Sequence, residues 1–204
     1  MYKGEKINSI SHLVGASLSL AALVLLVIKG VESGDSYKLT SAIIYGIGQF
    51  LMFLFSTLYH SFKGTPKAVF QRFDHIGIFL LIAGTYTPFT LVLMRETSGT
   101  MILSVVWGLA AFGITFKAVF GPRYNLVSTL FYLLCGWAIA LDIPGLRASL
   151  SGPAMNWLIA GGLVYSLGAI FYLKDSLPRN HEIWHFFVMG AAMCHFAGIY
   201  FYVL

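Results

Sequence analysis

The chain has 204 residues, of which 58% fall in the hydrophobic class and 10% are charged. Soluble globular domains carry about 25% charged residues, so this composition excludes that class. The formal net charge of +5 is spread among short connections rather than gathered into a basic patch, and no phosphate-cradling glycine loop or nucleic-acid signature is present, which excludes nucleic acid as a partner.

Seven stretches free of Asp, Glu, Lys and Arg follow one another, at about residues 7–28, 39–62, 76–94, 97–116, 124–141, 148–173 and 183–204. Each approaches or exceeds the roughly 18 to 20 residues that cross a hydrocarbon core of about 30 Å. Backbone groups in lipid must be paired within their own segment, so each stretch is predicted to be a helix. Glu5, Asn8 and His12 stand at the start of the first, which is long enough to span and shows no small-residue cleavage site, unlike a signal peptide. The second leaves through Ser56 and His60, one helical turn apart on one face. Asp74 and His75 introduce the third, whose Gly84, Thr85, Tyr86, Thr87 and Pro88 predict a kink near its middle.

The fourth stretch carries no ionisable group, and the fifth ends at Asp142. Gly161, Gly162, Gly168 and Ala169 in the sixth suit close helix packing. The seventh is opened by His181, Glu182 and His185. Cys135 and Cys194 both fall inside apolar stretches and read as small buried hydrophobes rather than a disulfide. Seven spans use about 140 positions, which leaves only short loops and tails. The fold class is therefore all-α, a single seven-transmembrane helix bundle over residues 1–204.

The basic residues divide between the two sides of this topology. Lys3, Lys6, Lys63, Lys67, Arg72, Lys117, Arg123, Lys174 and Arg179 lie on the N-terminal side, and Lys29, Lys38, Arg95 and Arg147 on the other. Nine against four places the N-terminus in the cytoplasm and the C-terminus outside, by the positive-inside rule. Glu5, Asn8, His12, Ser56, His60, Asp74, His75, His181, Glu182 and His185 then all converge on the cytoplasmic face. Ionisable groups inside a membrane are costly and mark functional sites. His181 and His185 project from one helix face a turn apart, and His60 joins them, which points to a bound metal ion, zinc by preference.

Asp74 is placed to hold or deprotonate a reacting water or orient a ligand imidazole, and Ser56 to act as a hydroxyl partner that supports a developing oxyanion. Glu5, Asn8, His12 and His75 are candidate polar partners around the ligands. His195 lies ten residues beyond His185, about 15 Å along the helix, and is read as a packing or polar contact deep in the bundle. The H-E-x-x-H spacing also matches zinc proteases, with Glu182 as base. The stretch LDIPG offers Asp142 as the distant Asp of such a site, but it lies at the opposite membrane face, which rejects that pairing.

Glu5-x2-Asn8-x3-His12, Ser56-x3-His60, Asp74 and His181-x3-His185, in this order and across essentially the whole chain, closely resemble the hemolysin III proteins, the bacterial branch of the progestin and adiponectin receptor (PAQR) family. The resemblance implies zinc ligation by His60, His181 and His185 with Ser56 and Asp74 beside them, a cytoplasmic N-terminus, and a multi-pass protein of the cell inner (plasma) membrane. The link of that superfamily to alkaline ceramidases implies hydrolysis of a ceramide-like amide or ester of a membrane lipid, in lipid or energy homeostasis. The alternative is a non-enzymatic sensor, regulator or transport-related protein in which zinc is structural. The family name implies an association with cytolysis, to which no particular residue speaks.

Overall fold

The computed structural model describes residues 1–2, 4–174 and 176–204; Lys3, counted above among the cytoplasmic charges, lies outside the described residues. Helices α1 (Lys6–Glu32), α2 (Ser36–Ser61), α3 (Gly64–Pro88), α4 (Gly99–Phe120), α5 (Asn125–Gly136), α6 (Ile143–Ser149), α7 (Gly152–Leu173) and α8 (Asn180–Tyr202) follow in order. A π-helical turn, Phe89–Leu93, extends α3, and a 3-10 segment, Ala138–Asp142, joins α5 to α6. Counting α5 to α6 as one span, seven helical segments among the described residues are long and apolar enough to cross a membrane. The chain is a multi-pass membrane protein: large apolar side chains such as Leu18, Val24, Phe112, Leu134 and Phe201 are exposed all round the bundle, while Tyr45, Phe53, Phe79 and Ile102 are buried inside it.

The short connections are set by local chemistry. Gly34, Gly64 and Gly121 take positive φ between helices, where a Cβ would strain the backbone. Asp35 caps α2 by accepting the Tyr37 amide at 2.7 Å, and Ser151 accepts the Ala154 amide at the start of α7. The two ends of the bundle are tied separately. At the N-terminal end the Met1 amine donates to the Ser61 carbonyl; at the other, Lys29 donates to the Tyr200 carbonyl and Lys38 to the Leu204 carbonyl.

Three boundaries differ from the sequence reading. First, α3 begins at Gly64, twelve residues before the third apolar stretch, because Pro66 is tolerated in a first helical turn and Lys67 finds partners in Tyr2 and Glu5. Asp74 and His75 are therefore about 15 Å inside the helix rather than at its entrance, and His75 is buried. Second, the irregularity in α3 comes after Pro88, as the π-helical turn, while the helix stays α through Gly84. Hydroxyls of Thr85, Thr87 and Thr90 bond back to carbonyls one turn earlier along this stretch. Third, the fifth span breaks after Gly136 and resumes as α6, since Pro144 has no amide to continue the ladder. The Tyr86 hydroxyl mends the break, donating to the Gly136 carbonyl at 2.7 Å and accepting the Ile139 amide at 2.9 Å.

Helices α2 and α3 approach closely where Gly48 meets α3: a Cβ there would lie 2.9 Å from the Leu80 carbonyl oxygen, whereas one on Gly108 would meet nothing within 4 Å. We expect Gly48→Ala to cost about 1–3 kcal/mol through overpacking. Gly108→Ala should be neutral or gain up to about 1 kcal/mol of helix propensity. Thermal unfolding of both variants in one detergent checks this; equal midpoints would mean that the α2–α3 approach is not close.

Candidate metal centre

The N-terminal end of the bundle gathers residues from α1, α2, α3 and α8. His60, one residue before the end of α2, and His181 and His185, on the first turns of α8, bring three imidazoles together with ligand atoms all within 4.8 Å of one another. Ring centroids stand 5.0 Å apart for His60 and His181, 4.9 Å for His60 and His185, and 4.8 Å for His181 and His185. The group can hold a metal ion.

Hydrogen bonds around the rings decide which nitrogens are available. The His60 Nδ1 lies 2.6 Å from a Glu5 carboxylate oxygen, which can only accept, so Nδ1–H donates and Nε2 keeps its lone pair. The His185 Nδ1 lies 3.2 Å from the Asn8 carbonyl, and the same argument leaves its Nε2 free. Ser11 Oγ stands 3.2 Å from that same Nδ1. The Nε2 atoms of His60 and His181 face each other at 3.2 Å. A lone pair so placed needs a proton or a cation between it and its neighbour.

Glu5 is the pivot of this arrangement. One carboxylate oxygen accepts from His60 and from Asn8 Nδ2, at 2.6 and 2.9 Å, and the other from Lys67 at 2.8 Å. Burial pushes the Glu5 carboxyl upward, but the hydrogen bonds from Lys67, Asn8 and His60 outweigh it and hold the group down at about 2. Because the folded value is the lower one, this interaction is fully present above the ordinary carboxylate range and is lost only as pH falls toward 2. Tyr2 closes over the pair, its hydroxyl accepting from Lys67 at 2.7 Å.

The remaining candidates fall into place around the three rings. His12 stacks on His185 with centroids 3.6 Å apart and planes at 13°. Ser56 hydrogen-bonds the Asp74 carboxyl, so its proton is committed to that group. His12, Ser56, Asp74, His75, His181 and His185 all line one cavity of about 130 Å³, which is otherwise walled mainly by apolar side chains. Glu182 instead pairs loosely with Arg179 at 3.9 Å and is not among the clustered groups. Asp142 caps α6 by accepting the Gly145 amide at 3.0 Å. Neither serves a protease arrangement.

Two contributors are not evident from the sequence. Ser11 shares the Asn8–His12 face of α1 at helical spacing, a signal that is present but weak for a lone serine. Lys67 reads in the sequence only as a topological charge, and its role as partner to Glu5 depends on tertiary packing.

The family model described as haemolysin-III related matches residues 1–196. Hemolysin-3 of Bacillus cereus is 45% identical over 204 residues, covering 99% of this chain and 93% of that protein. The monocyte to macrophage differentiation factor of Homo sapiens is 30% identical over 178 residues, 84% of this chain and 74% of that protein. The adiponectin receptor protein of Drosophila melanogaster is 26% identical over 227 residues, 94% of this chain and 49% of that protein. No solved structure matches the chain.

Because Glu5 fixes the tautomer and orientation of His60, its loss should weaken metal binding without removing a ligand. We expect Glu5→Ala to lower the affinity for a divalent ion by about 10–100-fold, read by competition with a chromophoric chelator, and Glu5→Gln, which retains an acceptor, to lower it less. An unchanged affinity in Glu5→Ala would show that His60 is oriented by other groups.

Proposed function

The chain belongs to the haemolysin-III related family, and from that premise we propose that it is a zinc-dependent hydrolase acting on an amide or ester bond of a membrane lipid, ceramide-like in character. The observation that carries this reading is that two of the three clustered imidazoles, His181 and His185, line an apolar cavity that also presents the Asp74 carboxyl. We take the zinc-bearing end to lie at the cytoplasmic face of the inner membrane, as the excess of Lys and Arg on that side favours.

The residues fit zinc. Two imidazole nitrogens sharing one tetrahedral zinc at about 2.0–2.1 Å stand about 3.3 Å apart, close to the 3.2 Å between the His60 and His181 Nε2 atoms. Neutral imidazoles that donate their other nitrogen to oxygen acceptors are the usual ligand set, and three protein ligands are the count of an open, catalytic site. Zinc bound here supplies Lewis acidity, polarising a carbonyl and making water a nucleophile near neutral pH. Glu5 and Asn8 hold the ligand rings in place. Ser56 orients the Asp74 carboxylate by donating to it, which makes it a support for the base rather than a donor to the developing oxyanion, and Asp74 accepts the proton from the attacking water. The apolar walls hold the lipid chain and keep bulk water from the scissile bond.

Asp74→Asn keeps the side chain's size and removes its basicity. We expect it to lower lipid hydrolysis by at least about 100-fold while metal content, read by elemental analysis, stays at the wild-type level. Undiminished hydrolysis would remove Asp74 from the reaction; loss of metal would make it part of the ligand arrangement instead.

A further inference from the structure

Two buried polar atoms that face the same cavity have no use in the chemistry above. His195 lies on α8, at a position that reads as packing or a polar contact in the sequence, and it forms part of the wall of the same cavity as His181 and His185. Its Nε2 stands 3.2 Å from the Leu158 carbonyl. A carbonyl only accepts, so Nε2–H donates and Nδ1 carries the lone pair. That Nδ1 is buried and, among the described residues, has no hydrogen-bond partner. Tyr165 lines the cavity too, with its ring centroid 5.7 Å from that of His195, and its hydroxyl is equally without a partner.

The position is built rather than incidental. The His195 ring is seated against Gly161 of α7, where a Cβ would fall 2.2 Å from the imidazole, so only glycine leaves room for it. Buried polar groups in lipid are costly when unsatisfied, and two facing one cavity mark a site with a missing partner. We infer that His195 and Tyr165 form a second polar subsite that takes the hydroxyl group of a single-chain amphipath lying in the cavity, its other polar end at the histidine triad. A hydroxyl matches the demand: it donates to the His195 lone pair and accepts from a phenol. A bare methylene can do neither, and a carboxylate cannot donate.

The spacing specifies where along the chain that hydroxyl belongs. His185 and His195 are ten residues apart on one uninterrupted helix, about 15 Å along its axis. An extended alkyl chain advances about 1.3 Å per carbon, given a carbon–carbon bond of about 1.5 Å at the tetrahedral angle. The hydroxyl should therefore sit about twelve carbons from the polar end. Placing that end at the triad rests on the zinc-site reading above; the hydroxyl subsite itself does not.

The test is equilibrium binding of 12-hydroxyoctadecanoic acid, 2-hydroxyoctadecanoic acid and octadecanoic acid to the detergent-purified, zinc-loaded protein. The 12-hydroxy acid should bind about tenfold more tightly than octadecanoic acid, the worth of one well-made buried hydrogen bond, and the 2-hydroxy acid should gain no such advantage. Tyr165→Phe, which changes no packing volume, and His195→Leu should each bring the 12-hydroxy preference close to unity while leaving octadecanoic acid binding within about twofold. Equal affinities in the wild type, equal preference for the 2-hydroxy acid, a preference that survives both variants, or no binding of any of the acids would each overturn the subsite and leave the two atoms to bound water. A 12-hydroxy preference in a protein that hydrolyses no lipid would keep the subsite and discard the hydrolase reading; hydrolysis without the preference would do the reverse.

Discussion

Everything in this bundle answers to one constraint: inside a bilayer a polar group must be satisfied by the protein itself, because lipid offers nothing to bond with. The constraint explains the helices, and it explains the repairs where helices break. Tyr86 bridges the gap that Gly136 and Pro144 open in the fifth span, and threonine hydroxyls bond back along α3 beside Pro88. It also gives meaning to the exceptions. Where polar side chains gather away from backbone repair, at the N-terminal end and at the Tyr165–His195 pair, the proposed ligands would supply the partners that the bundle does not.

At the metal centre the constraint is met by a relay from backbone and carboxylate through imidazole. Glu5 and the Asn8 carbonyl each take one ring proton, which turns the opposite nitrogens of His60 and His185 inward as lone pairs. The N-terminal segment is thus part of the site rather than a tail beside it: Tyr2 and Lys67 hold Glu5, and Glu5 holds His60. The outcome is a set of oriented imidazoles, two of which line a cavity whose walls are otherwise mainly apolar, a combination suited to an amphipathic ligand.

Much of this is legible in the sequence, for definable reasons. The seven spans stand out because a charge-free stretch of about 20 residues is seldom anything but a membrane-crossing helix. The triad is visible because His181 and His185 obey helical spacing and the alternation of spans brings His60 to the same end. What stays hidden depends on packing. The early start of α3 is masked by Lys67, Arg72 and Asp74, charges that read as a loop until Glu5 and Ser56 are seen to receive two of them. The break after Gly136 needs Tyr86, fifty residues away. His195 carries no spacing signal relative to the triad, and only the cavity joins them.

The central claim is that the three imidazoles hold one zinc ion. Elemental analysis of protein purified in detergent without chelators, wild type beside His60→Ala and His185→Ala, tests it most directly. The account predicts about one zinc per chain in the wild type and its loss in both variants. A wild type free of metal, or variants that retain full occupancy, would contradict it and leave the histidines as a hydrogen-bonded network within the bundle.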